Sequence, residues 1–257
     1  MKNRALIVLA LIYFLSSHSV MAQVPSRFEY KKFVGKNGDT LNYRLLGPDY
    51  NLSRKYPLVI FLHGSGERGS DNEAQLKWGV QNFATDENMT KYPAIVIAPQ
   101  CPENERWQNV SDWKNPEKIK FLDTPSKSME LVIELIHKTI KDYPIDTNRI
   151  YITGLSMGGY GTYDAMIRNP ELFAAAVPVC GGADTSKAAS IAHIPMWIFH
   201  GAEDPSVSSQ FSINMVEALE KAGAHPGFTL YPEVGHFSWL HAYSDPLMME
   251  WLFRQHK

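Results

Sequence analysis

The sequence predicts an α/β protein built on a mostly parallel sheet of about eight strands with helices on both faces, and three observations predict it. Short β-branched and aromatic runs at residues 58–62, 95–98, 150–153, 174–179 and 196–199 are continuous instead of alternating, as in strands buried on both sides. Segments of helical periodicity separate several of these runs, which calls for crossover connections and parallel neighbours. The run ending at Thr153 passes through Gly154-Leu155-Ser156-Met157-Gly158 into a helical stretch, a turn that sets a serine above the end of such a sheet.

Taken in order, residues 1–22 read as a signal peptide and residues 23–257 as one catalytic domain. Lys2 and Arg4 form a basic start, residues 6–15 are apolar, and Val20-Met21-Ala22 offers a cleavage site before Gln23. The apolar run is too short to span a bilayer comfortably, so after cleavage the chain is expected to be secreted or periplasmic with no stable membrane insertion. An uncleaved anchor is the alternative. Residues 28–34 and 40–46 flank Asn37-Gly38, a hairpin signal. Thr124-Pro125 is expected to open a helix with proline in its first turn, with Met129, Val132, Ile133, Leu135, Ile136 and Ile140 on the buried face. A second helix is expected over 158–169, stopped by Pro170, and a third over 212–222, ended by Gly223. Only residues 181–195 separate the sixth and seventh strand runs, too few for a large lid domain.

Composition narrows the function. A net charge of -2 with interspersed signs gives no basic field, so nucleic acid is not an expected partner. The nine histidines contain no His-Glu-x-x-His pair and the two cysteines no zinc spacing, so neither a metal nor another cofactor is suggested. Cys101 and Cys180 both follow strand runs; they are either bridged, if their Cα atoms come within about 7 Å, or two buried thiols. Asn51, Asn88 and Asn109 head glycosylation sequons that are not expected to be used.

In a parallel sheet the ligand site lies beyond the carboxyl ends of the strands. Ser156 is the candidate nucleophile there, and the N–H of Met157 faces the same space. His63-Gly64-Ser65-Gly66 follows the 58–62 run and can aim a second N–H at the same oxygen, Ser65 being the first choice and Gly66 the second. Asp204 follows the 196–199 run, and His236 follows Thr229–Tyr231; Ser…Asp…His is the order expected for this chemistry. Glu203, Asp184 and His241 are the competitors, while His63 and His200 read as structural turn residues. The loop 101–123 carries Trp107 and Trp113, and the segment after His236 carries Trp239. These rings either wall a sugar or phenolic subsite or anchor their loops.

The motifs HGSGERG (63–69), GLSMGGYGT (154–162), HGAEDPSV (200–207) and GHFSW (235–239), followed by Tyr243, Asp245-Pro246 and Trp251-Leu252, resemble an α/β-hydrolase esterase and peptidase family. Its members include polyhydroxybutyrate-depolymerase-like and carbohydrate-esterase-like enzymes. The resemblance implies the eight-stranded α/β-hydrolase fold and carries Ser156, Asp204 and His236 over as nucleophile, acid and base. It implies a serine carboxylic-ester hydrolase acting on a small-molecule or polysaccharide ester, with acyl or feruloyl esters of plant polysaccharides as the expected substrates. A prolyl-oligopeptidase-like peptidase and an inactive binding protein on the same scaffold are the alternatives.

Overall fold

The computed structural model describes residues 27–48 and 53–257. The proposed signal peptide and the Asn51 sequon lie outside the described residues. Eight strands form one sheet: β1 Glu29–Val34, β2 Thr40–Leu46, β3 Tyr56–Leu62, β4 Ile95–Pro99, β5 Ile145–Leu155, β6 Ala175–Val179, β7 Trp197–Gly201 and β8 Gly227–Tyr231. Their order is β1-β2-β4-β3-β5-β6-β7-β8. β1 and β2 make the expected antiparallel hairpin, closed at Gly38 with φ 84°, and β2 runs antiparallel to β4; every other pairing is parallel.

The sheet is buried on both faces. β3, β4 and β6 are buried along their whole length, which is why their sequences show no alternation. Alternate residues nevertheless serve different cores. Leu58, Ile60, Ile97 and Ile152 pack with α2 (Lys127–Asp142) and α5 (Gln210–Lys221) on one side. Val59, Phe61, Val96 and Val177 pack on the other side with Tyr243 of α6 (Trp239–Ser244) and Met248 and Leu252 of α7 (Pro246–Phe253). Seven α-helices occur among the described residues, the others being α1 Asp86–Lys91, α3 Met157–Arg168 and α4 Ala188–Ile191.

Several boundaries differ from expectation for local reasons. α2 starts after Ser126, whose hydroxyl accepts the Met129 N–H, so Pro125 precedes the cap instead of occupying the first turn. β5 reaches back to Ile145 through a register shift against β3. α5 starts two residues early and ends at Lys221, with Gly223 beyond it at φ 88°. Cys101 and Cys180 are free and buried. Between β6 and β7 lie only a 3-10 turn, Thr185–Lys187, and the four-residue α4, so among the described residues this connection carries no lid domain.

Ten of the twelve residues of α3 are buried, because the loop 101–123 covers the helix from outside. Asp164 accepts the Asn109 N–H at 3.0 Å and pairs with Arg168. Arg168 in turn donates to the Leu122, Asp123 and Thr124 carbonyls. The loop is thereby held by one helix at Asn109 in its interior and at its carboxyl end.

Candidate active site

The turn between β5 and α3 is built for close approach. A Cβ on Gly158 would sit 1.9 Å from the Leu62 carbonyl oxygen, and one on Gly154 would sit 2.4 Å from the Gly158 oxygen. Glycine at both positions lets the chain reverse within contact of β3, leaving Ser156 at φ 53° and ψ −117°, a conformation L-residues avoid. Its N–H donates to the Val179 carbonyl at 2.9 Å, which fixes the turn to β6.

Asp204 and His236 reach Ser156 from beyond the ends of β7 and β8. A Cβ on Gly201 would lie 2.3 Å from both the Val234 and Gly235 oxygens, so only glycine lets the end of β7 meet the loop that carries His236. Asp204 Oδ1 accepts the Ser206 and Val207 N–H groups at 2.8 and 2.9 Å. Its Oδ2 lies 2.7 Å from His236 Nδ1, and His236 Nε2 lies 2.9 Å from Ser156 Oγ. The three side chains predicted from sequence therefore form one hydrogen-bonded line. Burial works to raise the Asp204 carboxyl, but hydrogen bonds from His200, His236 and the Val207 N–H outweigh it and hold the group well below the usual carboxylate range. Glu203 is exposed, and its backbone N–H bonds Val234.

Two more histidines are buried at strand ends nearby, and one of them, His200, reaches the line. His200 lies 2.7 Å from Ser212 Oγ and 2.9 Å from the Val207 carbonyl, with Asp204 Oδ2 3.4 Å away. His63 Nε2 accepts the Cys101 N–H at 2.9 Å while Nδ1 faces the Gly64 carbonyl at 2.6 Å, and burial pushes its imidazole down to about 4. Both are positioning groups at strand ends.

Met157 is the first residue of α3, and Ser65 is the first residue of a 3-10 turn, Ser65–Glu67. First-turn N–H groups have no partner within their own helix, which leaves them for a ligand. Ser65, Met157 and Ser156 line one cavity of about 130 Å³, and Gly66 is not part of its wall. Arg68 braces the Ser65 turn, donating to the Ser65, Glu103 and Glu105 carbonyls.

The tryptophans separate into different roles. Trp113 is half-buried and lines the cavity with Arg106, Gln108, Tyr160 and Val207. Trp107 does not wall the site: it is fully buried under α3, donating Nε1 to the His63 carbonyl at 3.0 Å. Trp239 is also buried, edge-on to the His236 ring at 5.2 Å, and braces the imidazole from behind. The exposed ring on that side is Phe237, 4.7 Å from Trp239 and 6.0 Å from Trp78. Gln108, Arg106 and Trp78 went unnoticed in the sequence, where no spacing or motif sets them apart.

Cys180, Asp204 and His236 form the one group of metal-type ligand atoms among the described residues, all within 4.8 Å of one another. Asp204 and His236 are already hydrogen-bonded to each other at 2.7 Å, and burial pushes the Cys180 thiol far up. Among the described residues no helix is long and apolar enough to cross a membrane.

A model of the phospholipase/carboxylesterase family matches residues 51–245. The chain belongs to that family. This carboxylesterase-type hydrolase is 42% identical to a thermostable esterase of known crystal structure, with a TM-score of 0.84 over 91% of this chain and 64% of the other. It is 27% identical, over 71% of its length, to a bifunctional acetylxylan esterase/xylanase of Neocallimastix patriciarum, of which it spans 24%. It is 30% identical, over 49% of its length, to poly(3-hydroxyalkanoate) depolymerase C of Paucimonas lemoignei, of which it spans 28%. The chain thus spans about a quarter of the length of these two curated relatives.

Proposed function

We propose that the chain is a secreted serine esterase that hydrolyses acyl or feruloyl esters of plant polysaccharides through an acyl-enzyme on Ser156. The observation that carries this reading is the Asp204–His236–Ser156 line of hydrogen bonds, 2.7 and 2.9 Å long, with Ser156 in the wall of a cavity of about 130 Å³. His236 Nε2 accepts the Ser156 proton as Oγ attacks the ester carbonyl. The buried Asp204 carboxylate holds the proton on Nδ1 and balances the imidazolium that forms. The Met157 and Ser65 N–H groups receive the oxyanion, His236 protonates the departing alcohol, and water then releases the acid by the same route.

Substrate class rests on the open site and on the relative whose name is acetylxylan esterase/xylanase. Phe237 is 54% exposed beside the base and offers the departing alcohol a flat apolar ring, a surface that sugar faces cover well. A fluorophosphonate probe is expected to label the wild type and not Ser156→Ala; equal labelling excludes Ser156 as nucleophile. Acetylated xylan and feruloylated arabinoxylan are expected to be hydrolysed faster than an aminoacyl anilide, and the reverse order turns the reading to a peptidase. Sequencing of the exported protein is expected to begin at Gln23.

A further inference from the structure

Of the two N–H groups assigned to the oxyanion, that of Met157 is fixed by the first turn of α3, whereas that of Ser65 hangs on a glycine. The Ser65 N–H shares a trans peptide plane with the Gly64 carbonyl, and in such a plane the two point in opposite directions. Whatever holds the Gly64 carbonyl therefore aims the Ser65 N–H the other way. Two groups hold that carbonyl, His63 Nδ1 at 2.6 Å and the Glu67 N–H at 3.3 Å. Neither reaches the amino side of Gly64, and a glycine turns about its own bonds more easily than any other residue.

The Glu67 side chain closes that gap. Gly64 caps the 3-10 turn and Glu67 is its third residue, the position from which a glutamate reaches back to the N–H of the cap. A Cβ built on Gly64 would lie 3.0 Å from Glu67 Oε2 and 3.6 Å from Ser156 Cβ, so carboxylate and nucleophile meet the same face of that glycine. Glu67 is buried, which raises its carboxyl against the charge of Lys77 and hydrogen bonds from the Gly64 N–H, the Trp78 side chain and its own N–H. Trp78 packs against Phe237 and Trp239 at 6.0 and 6.4 Å and anchors the carboxylate on its far side. One residue thus grips Gly64 twice, its N–H on the carbonyl and its carboxylate on the N–H. Keeping a carboxylate in so dry a place costs stability, and what it secures is the orientation of one peptide.

Building on the esterase reading above, in which the Ser65 N–H receives the oxyanion, we infer that Glu67 is a positioning residue: by accepting the Gly64 N–H it keeps the Gly64–Ser65 peptide from turning over and the Ser65 N–H facing the oxyanion. Its effect is made where the oxygen carries charge, in the transition state, and so belongs in kcat and not in KM. Glu67→Met, of similar length but with no acceptor, is expected to lower kcat roughly tenfold to a hundredfold, by the same factor on 4-nitrophenyl acetate and butyrate, with KM within about twofold of wild type. Binding of phenylboronic acid, whose adduct with Ser156 carries the oxyanion, is expected to weaken by the same factor as kcat/KM. Glu67→Gln, which keeps an acceptor oxygen of the same reach, is expected to fall between, nearer the wild type. A Glu67→Met kcat within about threefold of wild type, a loss carried by KM with boronate affinity unchanged, or a Glu67→Gln loss as large as that of Glu67→Met overturns the assignment and leaves the esterase reading standing. If Glu67→Met fails to fold, Glu67→Asp decides, its carboxylate drawn one methylene back from the Gly64 N–H: a kcat within about threefold of wild type in that variant also overturns it. A wild type inactive on both esters and unlabelled by a fluorophosphonate overturns the esterase reading itself, and the assignment with it.

Discussion

Replacing Asp204 by asparagine separates what the carboxylate does electrically from what it does as a brace. Oδ1 can remain where it is, accepting the Ser206 and Val207 N–H groups at 2.8 and 2.9 Å, so the turn after β7 should survive. The change falls on Oδ2, which becomes an NH₂ group 2.7 Å from His236 Nδ1. Two donors cannot face each other at that distance, so the imidazole shifts its proton to Nε2, the nitrogen 2.9 Å from Ser156 Oγ. The base then presents a proton where it has to accept one. His200 cannot compensate, being tied to Ser212 and Val207. The expected loss in kcat is roughly 10³- to 10⁴-fold, about 4–5 kcal/mol of transition-state stabilisation, as for the same change in a serine protease triad. The assay is steady-state hydrolysis of an unactivated ester, with thermal melts to establish that the fold is retained. Glu203→Gln is the control, since that side chain is exposed and touches none of the three residues. A kcat within tenfold of wild type for Asp204→Asn, or a larger loss for Glu203→Gln, refutes the reasoning.

The remaining predictions concern the frame around the site. Burial holds the His63 imidazole at about 4 against an ordinary value of 6.5, so between those two the unfolded chain binds a proton that the folded chain does not. Stability is therefore fully present above about pH 6.5 and is lost as the pH falls toward about 4, by about 3 kcal/mol from this group. Urea melts across that window should show a flatter profile for His63→Gln, and parallel profiles would count against a neutral buried ring. Gly158→Ala should cost about 3 kcal/mol or more, because its Cβ would fall 1.9 Å from the Leu62 carbonyl oxygen, while Gly66→Ala meets nothing within 4 Å and should melt like wild type. Equal melting temperatures for the two variants would contradict the packing described for the turn.

The strands and the hydrogen-bonded line were legible in the sequence for a shared reason. Strands buried on both faces have to be apolar throughout, and the serine turn has to have glycine where β3 and β5 nearly touch, so both constraints are written in residue type. The segment between β3 and β4 was not legible. It is a series of 3-10 turns, Ala74–Leu76 and Val80–Ala84, with α1 after them, too short to show a period. They are held partly by side chains such as Asn72, whose amide donates to the Lys31 and Tyr43 carbonyls. Pro125 misled because proline is acceptable both before a cap and just after one, and only the Ser126 bond to Met129 decides between them. Tryptophan in a loop near a site reads the same whether it faces solvent or plugs a helix. Trp113 and Trp107 are six positions apart and do opposite things. Gln108 was invisible because no motif or spacing marks it, and only the fold brings it to the cavity beside Ser156.

The helix that begins beside Ser156 also grips, through Asp164 and Arg168, the loop that bears Gln108 and Trp113. Ser156 and the cavity wall are thus mounted on one rigid rod, and the distance between them is set by the pitch of a helix instead of by the play of a loop. Residues 110–121 lie between those two grips and are tied down in their turn, Tyr160 donating to the Trp113 carbonyl, Lys120 pairing with Asp184, and Ile119 and Phe121 being buried in the core.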